Sequence, residues 1–373
     1  MYIAYVIDCD FSIDKPSSVT KKVLLQANTW VGLGHQVMIY SISSSLKYNA
    51  NEKCINTLGR SFSKTTNPLS KLFKLWRTSW FIYEDIKKVR PDVVYSRYLL
   101  YTPFITSIYK GFSSIVEVNS NDDIEYERAS VFTRYYNRLF KRLLLGDVNG
   151  LVCVTDELAG YISKYSNVKN IVIANGYDFS AVKSEALEEC KESVVTNWSK
   201  MNKPSLIFIA SPGNACHGLD ILLKVAKVLV DYNFKIVGYN GVNTENIKYY
   251  GYLNKDELYE QLANSDIGIS ALAIERHGML EACPLKSREY LAYGLPVIGN
   301  HFDPDIYGKD IYLKVNNDDV EKMAIQIDLF VKGWMNTKNK KTVVRKLAEP
   351  LVSHEAKERN RLNFFSSICG ATV

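Results

Sequence analysis

The chain has 373 residues, 47% of them apolar and 23% charged, with a formal net charge of +6. That length favours two domains over a single core, and the composition is that of a folded globular protein, which excludes a disordered or fibrous chain. No run approaches the roughly eighteen apolar residues that a membrane-spanning helix requires.

The charge is unevenly placed. Residues 1–180 carry 22 Lys+Arg and 16 Asp+Glu, a difference of +6, so the remaining residues sum to zero. The seven cysteines (Cys9, Cys54, Cys153, Cys190, Cys216, Cys283 and Cys369) are scattered without paired ligand spacing. This predicts reduced thiols in a cytosol and no structural zinc. Residues 1–7 are apolar but have no charged segment before them and stop at Asp8 and Asp10, so they read as a first buried strand and not as a signal peptide.

In chain order, residues 2–7, 37–42, 93–95, 114–118 and 151–154 read as strands separated by helix-like segments, which predicts a parallel sheet with helices on both faces. Ser17 and Ser18 open the first helix, and Gly32 to His35 make the turn into the second strand. Two stretches mix aromatic and basic residues at helical spacing. The first holds Leu69, Leu72, Phe73, Trp76 and Trp80 beside Lys71, Lys74 and Arg77. The second holds Phe132, Tyr135, Tyr136, Leu139, Phe140 and Leu143 beside Arg134, Arg138, Lys141 and Arg142. Either each stripe packs on the sheet under a solvated basic face, or the two dock on an anionic membrane surface. No zinc-finger, helix-turn-helix or RNA-binding signature accompanies them, so nucleic acid is not expected as a partner. Glu117 to Asp123 follows a strand and is polar, which places it at the carboxyl edge of the sheet, where ligands bind. Asn119 is the candidate contact there, with an Asx turn as the bland alternative.

Residues 170–174 form a further strand, closed by the turn Asn175-Gly176-Tyr177-Asp178, where Gly176 is available for positive φ. Residues 181–203 read as a connector. A second strand-helix series starts at 205–210. The loop Ser211 to Asp220 follows, with Gly213, His217 and Gly218 ahead of the apolar helix 219–229, which is the physical recipe for a phosphate cradle; a capped turn with a surface histidine is the alternative. Strands at 234–237, 247–251 and 266–270 continue the alternation. Arg276, in the loop Glu275 to Met279, could meet a phosphate or an acceptor.

The most informative run is Glu281 to Ile298. Pro284 suits the start of a helix and Gly294 its left-handed end, with Pro296 forbidding continuation, so the helix spans 284–293. An anion such as a diphosphate would be stabilised at its N-terminus, with Lys286 adding a full cation. Glu289, about one and a half turns in, could hold two neighbouring hydroxyls of a ribose, and Glu281 lies on the loop side of the diphosphate. The row of groups fits a nucleotide-sugar.

Glu281 and Glu289 enclose seven residues, and the string from Pro284 to Ile298 resembles the E-x7-E region of family 4 glycosyltransferases of the GT-B fold, in the variant reading P-L-K-x-x-E-Y-L-A-x-G-x-P-V-I. The resemblance covers nearly the full length and is strongest over 205–298. It implies an α/β protein with two Rossmann-like, doubly wound domains facing a central cleft: residues 1–180 on the acceptor side, 181–203 as connector, 204–350 for the nucleotide-sugar, and 351–373 as a C-terminal helix packing back on the first domain. It also implies a retaining, metal-independent sugar transfer with domain closure, catalytic roles for Glu281, Lys286 and Asn119, and donor binding by Glu289, Ser211, Gly213, His217, Leu285, Tyr252 and Arg276. The implied partners are a nucleotide-sugar donor and a saccharide or lipid-linked acceptor, in the cytoplasm or on the inner face of the membrane. The sequence departs from the family's pattern where serines replace the paired glycines of the first loop, where a histidine is missing near Asn119, and where Ser211 and His217 stand in place of an arginine and a lysine. A sugar-nucleotide epimerase and a catalytically silent binding protein on the same fold are the competing readings.

Overall fold

A computed structural model describes residues 1–11, 13, 17–59, 67–127, 130–182 and 203–370. The expected connector lies outside the described residues over 183–202. Two compact units result, one of Met1–Ile173 with Glu358–Val373 and one of Ala174–Lys357.

The first unit is built on eight strands, β1 (Tyr2–Ile7), β2 (Gln36–Ser41), β3 (Leu46–Asn49), β4 (Cys54–Thr57), β5 (Val93–Arg97), β6 (Ser114–Val118), β7 (Gly150–Cys153) and β8 (Lys169–Val172). Its helices are α1 (Ser18–Gly32), α2 (Pro68–Val89), α3 (Pro103–Gly111), α4 (Asp122–Glu127), α5 (Val131–Leu145) and α6 (Asp156–Ile162). The strand order is β4-β3-β2-β1-β5-β6-β7-β8. Pairing is parallel from β2 through β8, but β3 and β4 are antiparallel, so the sheet is mixed where a wholly parallel one was expected. The edge hairpin escapes a pattern reading because most of its residues are polar or exposed, and only one face of an edge strand must be apolar.

Ser17 caps α1, its hydroxyl accepting from the Thr20 N–H at 3.1 Å. That satisfies one of the donors a helix start leaves unpaired. At the carboxyl end of β6 the buried Glu117 accepts from Lys22 Nζ at 3.0 Å and lies 3.6 Å from Arg361, and Lys22 also donates to Asn119 Oδ1 at 2.7 Å. Burial would raise the Glu117 pKa, but Lys22, Arg361 and Arg97 outweigh it and hold the carboxyl well below its usual range. Asp122 and Asp123, which resemble a metal pair in sequence, instead accept from Asn137, Lys141 and Tyr161. The aromatic stripes of α2 and α5 do not pack on the sheet: Phe73, Trp76 and Trp80, and Phe132, Tyr135, Leu139 and Leu143, are exposed. Packing is carried by other faces, through Leu75, Ile82 and Ile86 on α2 and Leu144 and Leu145 on α5.

The second unit has one six-stranded, all-parallel sheet of β9 (Ser205–Ile209), β10 (Asn233–Val237), β11 (Ile247–Gly251), β12 (Ile267–Ile269), β13 (Val297–Gly299) and β14 (Tyr312–Lys314), in the order β11-β10-β9-β12-β13-β14. Its helices are α7 (Leu219–Val228), α8 (Lys255–Ala263), α9 (Leu285–Ala292), α10 (Val320–Met335) and α11 (Lys340–Val352), followed by α12 (His354–Cys369), whose residues from Glu358 onward belong to the first unit. There Glu358 accepts from the Trp30 indole N–H at 2.8 Å, and Phe365 joins the core around Tyr5, Trp30 and Tyr95.

The Asn175–Asp178 turn lies with the second unit. Asn175 donates from its main-chain N–H to Cys283 Sγ at 3.0 Å and from its amide to the Cys283 carbonyl at 2.7 Å, and the Tyr177 N–H reaches the Val352 carbonyl at 2.9 Å. Gly176 is not among the positive-φ glycines. It is needed for space instead, because a Cβ there would stand 2.7 Å from the His354 Cα.

Candidate functional site

In an open parallel sheet, neighbouring strands whose crossovers run in opposite directions leave a crevice at their carboxyl ends, and ligands bind there. In the second unit that point falls between β9 and β12, since the chain proceeds from β9 outward to β11 and then returns to β12. Helix α9 is anchored over it. The Tyr290 hydroxyl accepts from the Ile209 N–H at 2.9 Å and donates to the Ile269 carbonyl at 3.2 Å, bridging the ends of both strands. Ser287 and Ser270 hydroxyls meet at 2.7 Å. The approach is close: a Cβ at Gly268 would sit 2.3 Å from the Tyr290 ring.

Beneath the helix, the fully buried Arg288 donates to both oxygens of Asp303, to Asp305 at 2.8 Å and to the Asn175 carbonyl at 3.0 Å. The guanidinium fork matches the carboxylates. This fixes the rotation of α9, and with it the side on which Lys286 and Glu289 stand. The helix begins at Leu285 with Pro284 as N-cap and no side-chain cap, one residue later than expected. It ends at Ala292 with Tyr293 as C-cap, and Gly294 just beyond has a φ of +72°, the left-handed conformation predicted for that position.

Lys286 points back onto the sheet edge. Its Nζ donates to the Ile209 carbonyl at 3.1 Å and lies 4.7 Å from the centroid of the Phe208 ring. No carboxylate among the described residues pairs with it, and burial lowers its pKa to about 7. His217 stands close enough for the Lys286 charge to act on it. Burial first, then Lys286 and His277, bring its pKa down to about 4. The histidine is therefore neutral, and its Nδ1 is buried without a hydrogen-bond partner among the described residues. An unpaired buried nitrogen beside a half-neutralised lysine is the electrostatic complement of an incoming anion.

The loop carrying His217 supplies Ser211 and Gly213, both exposed, with the Ser211 carbonyl accepting from the Tyr239 hydroxyl at 2.9 Å. Gly213 has a φ of +81°. Arg276 is committed locally, with both guanidinium nitrogens on Asp220 at 2.8 Å and a third bond to the Ala215 carbonyl. It acts as a clamp between two loops, which leaves fewer donors for a phosphate than the sequence suggested. Glu281 is half-buried beside the crevice, its segment tied to Phe302 through the Ala282 N–H at 3.0 Å. Glu289 is half-buried and accepts from the Tyr177 hydroxyl at 3.5 Å. Leu285 is half-buried at the helix start, and Tyr252 is exposed just past β11.

The structure thus gathers Lys286, His217, Ser211 and Leu285 at the β9 edge, with Arg276 bracing the loop. Asn119 belongs to the first unit and is engaged with Lys22. Tyr290, Ser287 and Arg288 were not foreseen. Their partners lie 15 to 113 positions away in sequence, and only the apolar-flanked Tyr290 could have been marked as a core residue. Among the described residues no group of three or more His, Cys, Asp or Glu side chains is arranged to hold a metal, and no helix is long and apolar enough to cross a membrane.

Comparison with known proteins bears on the fold. Residues 22–181 match the model of Glycosyltransferase Family 4. A curated relative, an uncharacterized 41.2 kDa protein in the cps region of Klebsiella pneumoniae, is 26% identical over 187 residues, which is 47% of this chain and 48% of the relative. The fold is similar to that of sucrose-phosphate synthase from Thermosynechococcus elongatus, with a TM-score of 0.71 at 13% identity over 100% of both chains. It is also similar to that of WaaG, a glycosyltransferase involved in lipopolysaccharide biosynthesis, with a TM-score of 0.59 at 12% identity over 98% of this chain and 99% of the other. The fold is thus that of the GT-B glycosyltransferases, and residues 22–181, less than half of the chain, are similar to Glycosyltransferase Family 4.

Proposed function

We propose that the chain transfers a sugar, with retained anomeric configuration and without a metal, from a nucleoside-diphosphate sugar to a hydroxyl of a saccharide or lipid-linked acceptor. The observation that carries this reading is Lys286: a half-buried lysine with no carboxylate partner among the described residues, at the start of an uncapped helix and at the strand crossover point. As the glycosidic phosphate bond breaks, charge builds on the departing diphosphate. Preorganised positive groups that need no rearrangement then stabilise the transition state more than the ground state. Lys286 takes that role, with the α9 N-terminus and His217 as hydrogen-bonding support. Glu289 holds the ribose, and Glu281 positions hydroxyls of the transferred sugar. Arg276, held by Asp220, keeps the cradle loop in shape, and Tyr252 is assigned to the base.

Participation in polysaccharide assembly belongs to the same proposal, supported by the cps-region relative and by the lipopolysaccharide role of WaaG. A cytoplasmic location rests on the cysteine usage. The test is a thermal-shift panel of nucleotide sugars followed by kinetics of two variants. Glu289→Ala should mainly raise KM for the donor, and Lys286→Ala should mainly lower kcat. Unchanged parameters in both would overturn the assignment.

A further inference from the structure

The first unit has a strand crossover point of its own. Its chain runs from β1 outward to β4 and then returns to β5 on the other flank of β1. The carboxyl ends of β1 and β5 therefore border a crevice of the kind in which open parallel sheets hold ligands.

The groups gathered there carry a surplus of positive charge. Lys22, Arg97 and Arg361 surround the fully buried Glu117, and Glu358 is the second carboxylate of the cluster, so three cations meet two anions. Lys22 is engaged by Glu117 and Asn119, and Arg361 by Glu358 and the Tyr95 hydroxyl. Arg97 is different. Its Nη1 stops 3.9 Å from Glu117 Oε2, which is too far for a hydrogen bond, and its guanidinium makes none to any described residue. The side chain ends β5, is 22% exposed, and acts through its charge on the Cys9 thiol just past β1, which sets the guanidinium between the two strand ends. The other acids at the end of β1, Asp8 and Asp10, accept from the Ser43 and Ser44 hydroxyls beyond β2, on the opposite flank.

A guanidinium that has lost most of its water and gained no hydrogen bond in return is unfavourable as it stands. Its planar fork of donors matches two oxygens of a carboxylate or a phosphate. We infer that this crevice binds an anionic group, a phosphate or a carboxylate, carried by the sugar acceptor, with Arg97 gripping two of its oxygens. The inference rests on the glycosyltransferase reading for the ligand's role, and it makes the acceptor a phosphorylated or acidic saccharide. A neutral saccharide would leave the third cation of the cluster without a counter-charge, whereas one anion makes the charges equal.

Calorimetric titration of the full chain at low salt with glucose 6-phosphate, glucuronate and glucose tests this, since the three share a ring and differ in charge. At least one of the two anions should bind roughly tenfold or more tighter than glucose. A preference for the phosphate marks a phosphorylated acceptor and a preference for glucuronate a uronic acid, and either supports the inference. Arg97→Gln should lower the anion affinity roughly tenfold to a hundredfold and leave glucose unchanged, while Arg97→Lys, which keeps the charge but not the fork, should lower it less. In the unmodified protein, which requires no variant to fold, phenylglyoxal should modify Arg97 and the bound anion should protect it, as read by peptide mass spectrometry. Equal binding of the three sugars, an anion preference that survives Arg97→Gln, or absence of protection at Arg97 would each overturn the inference. So would a preference that disappears in Lys286→Met, because the anion would then sit at the donor site. Arg97→Gln should keep the thermal shift with nucleotide sugars, so failure of this crevice and failure of the donor reading are seen separately.

Discussion

A half-buried lysine stands near the carboxyl edge of the sheet in each unit, and the two meet opposite surroundings. Lys22 bonds to Glu117 at 3.0 Å and to Asn119 at 2.7 Å, so its charge is answered by the protein. Lys286 meets only a carbonyl and the face of Phe208. Burial lowers both pKa values, but Glu117 works against the shift at Lys22, while no carboxylate does so at Lys286. A cation neutralised from within holds a fold together. A cation left without its counter-charge is held in place for an anion that arrives from outside.

The largest consequence of this difference is in stability. Lys22→Met removes one partner of a buried pair and leaves Glu117 with a weaker set of cations, which costs on the order of 3–5 kcal/mol. Chemical denaturation should show an early transition in this variant. Lys286→Met removes a half-buried charge with no carboxylate partner among the described residues, so its midpoint should hold or rise. An equal loss in both would erase the distinction.

Activity should show the reverse order. Removing a single preorganised positive group at a developing oxyanion lowers kcat by roughly 100- to 1,000-fold, so Lys286→Met should be nearly inactive while remaining folded. Residual turnover within tenfold of the unmodified enzyme would shift the catalytic role away from α9.

Acid should separate the units as well. His301 is fully buried, neither ring nitrogen is hydrogen-bonded among the described residues, and burial lowers its pKa from 6.5 to about 4. Its folded form resists the proton that the unfolded chain accepts, so stability is lost as pH falls from 6.5 to about 4, by roughly 3 kcal/mol in total. Glu117, whose pKa is lowered in the fold, contributes stability that is present above pH 4.5 and is lost only below it. His301 should therefore weaken the second unit at milder acid than the loss of Glu117 weakens the first, and His301→Leu should remove that phase in a pH titration followed by circular dichroism.

Much of this contrast could be read from the residues alone, and part could not. The helix around Lys286 announces itself through Pro284, Gly294 and Pro296, because terminus signals are local and each has one physical cause. The strands of the parallel cores stand out as apolar runs for the same reason. What stayed hidden depends on contacts between distant residues: Arg288 with Asp303 and Asn175, Tyr290 across two strand ends, and Glu117 with Lys22 and Arg361. Helix α5 shows the limit most clearly. Its stripe has the period of a core-facing helix, and nothing in that period says which side faces inward; the buried Asp122 and Tyr98 decide it.

The smallest effect returns to Lys286 and is the most direct probe of the missing counter-charge. With a pKa of about 7, the amine is largely neutral above neutral pH. A bound diphosphate favours the charged form and raises the pKa, so binding must draw a proton from solution. Donor affinity should then fall as pH rises above about 7, by at most about tenfold per pH unit. Titration calorimetry in two buffers of different ionisation enthalpy measures the uptake, which should vanish in Lys286→Met. His217, with a pKa of about 4, could take up a proton in the same direction. Uptake that survives Lys286→Met and disappears in His217→Gln would assign the diphosphate's proton to the histidine and leave Lys286 a packing residue.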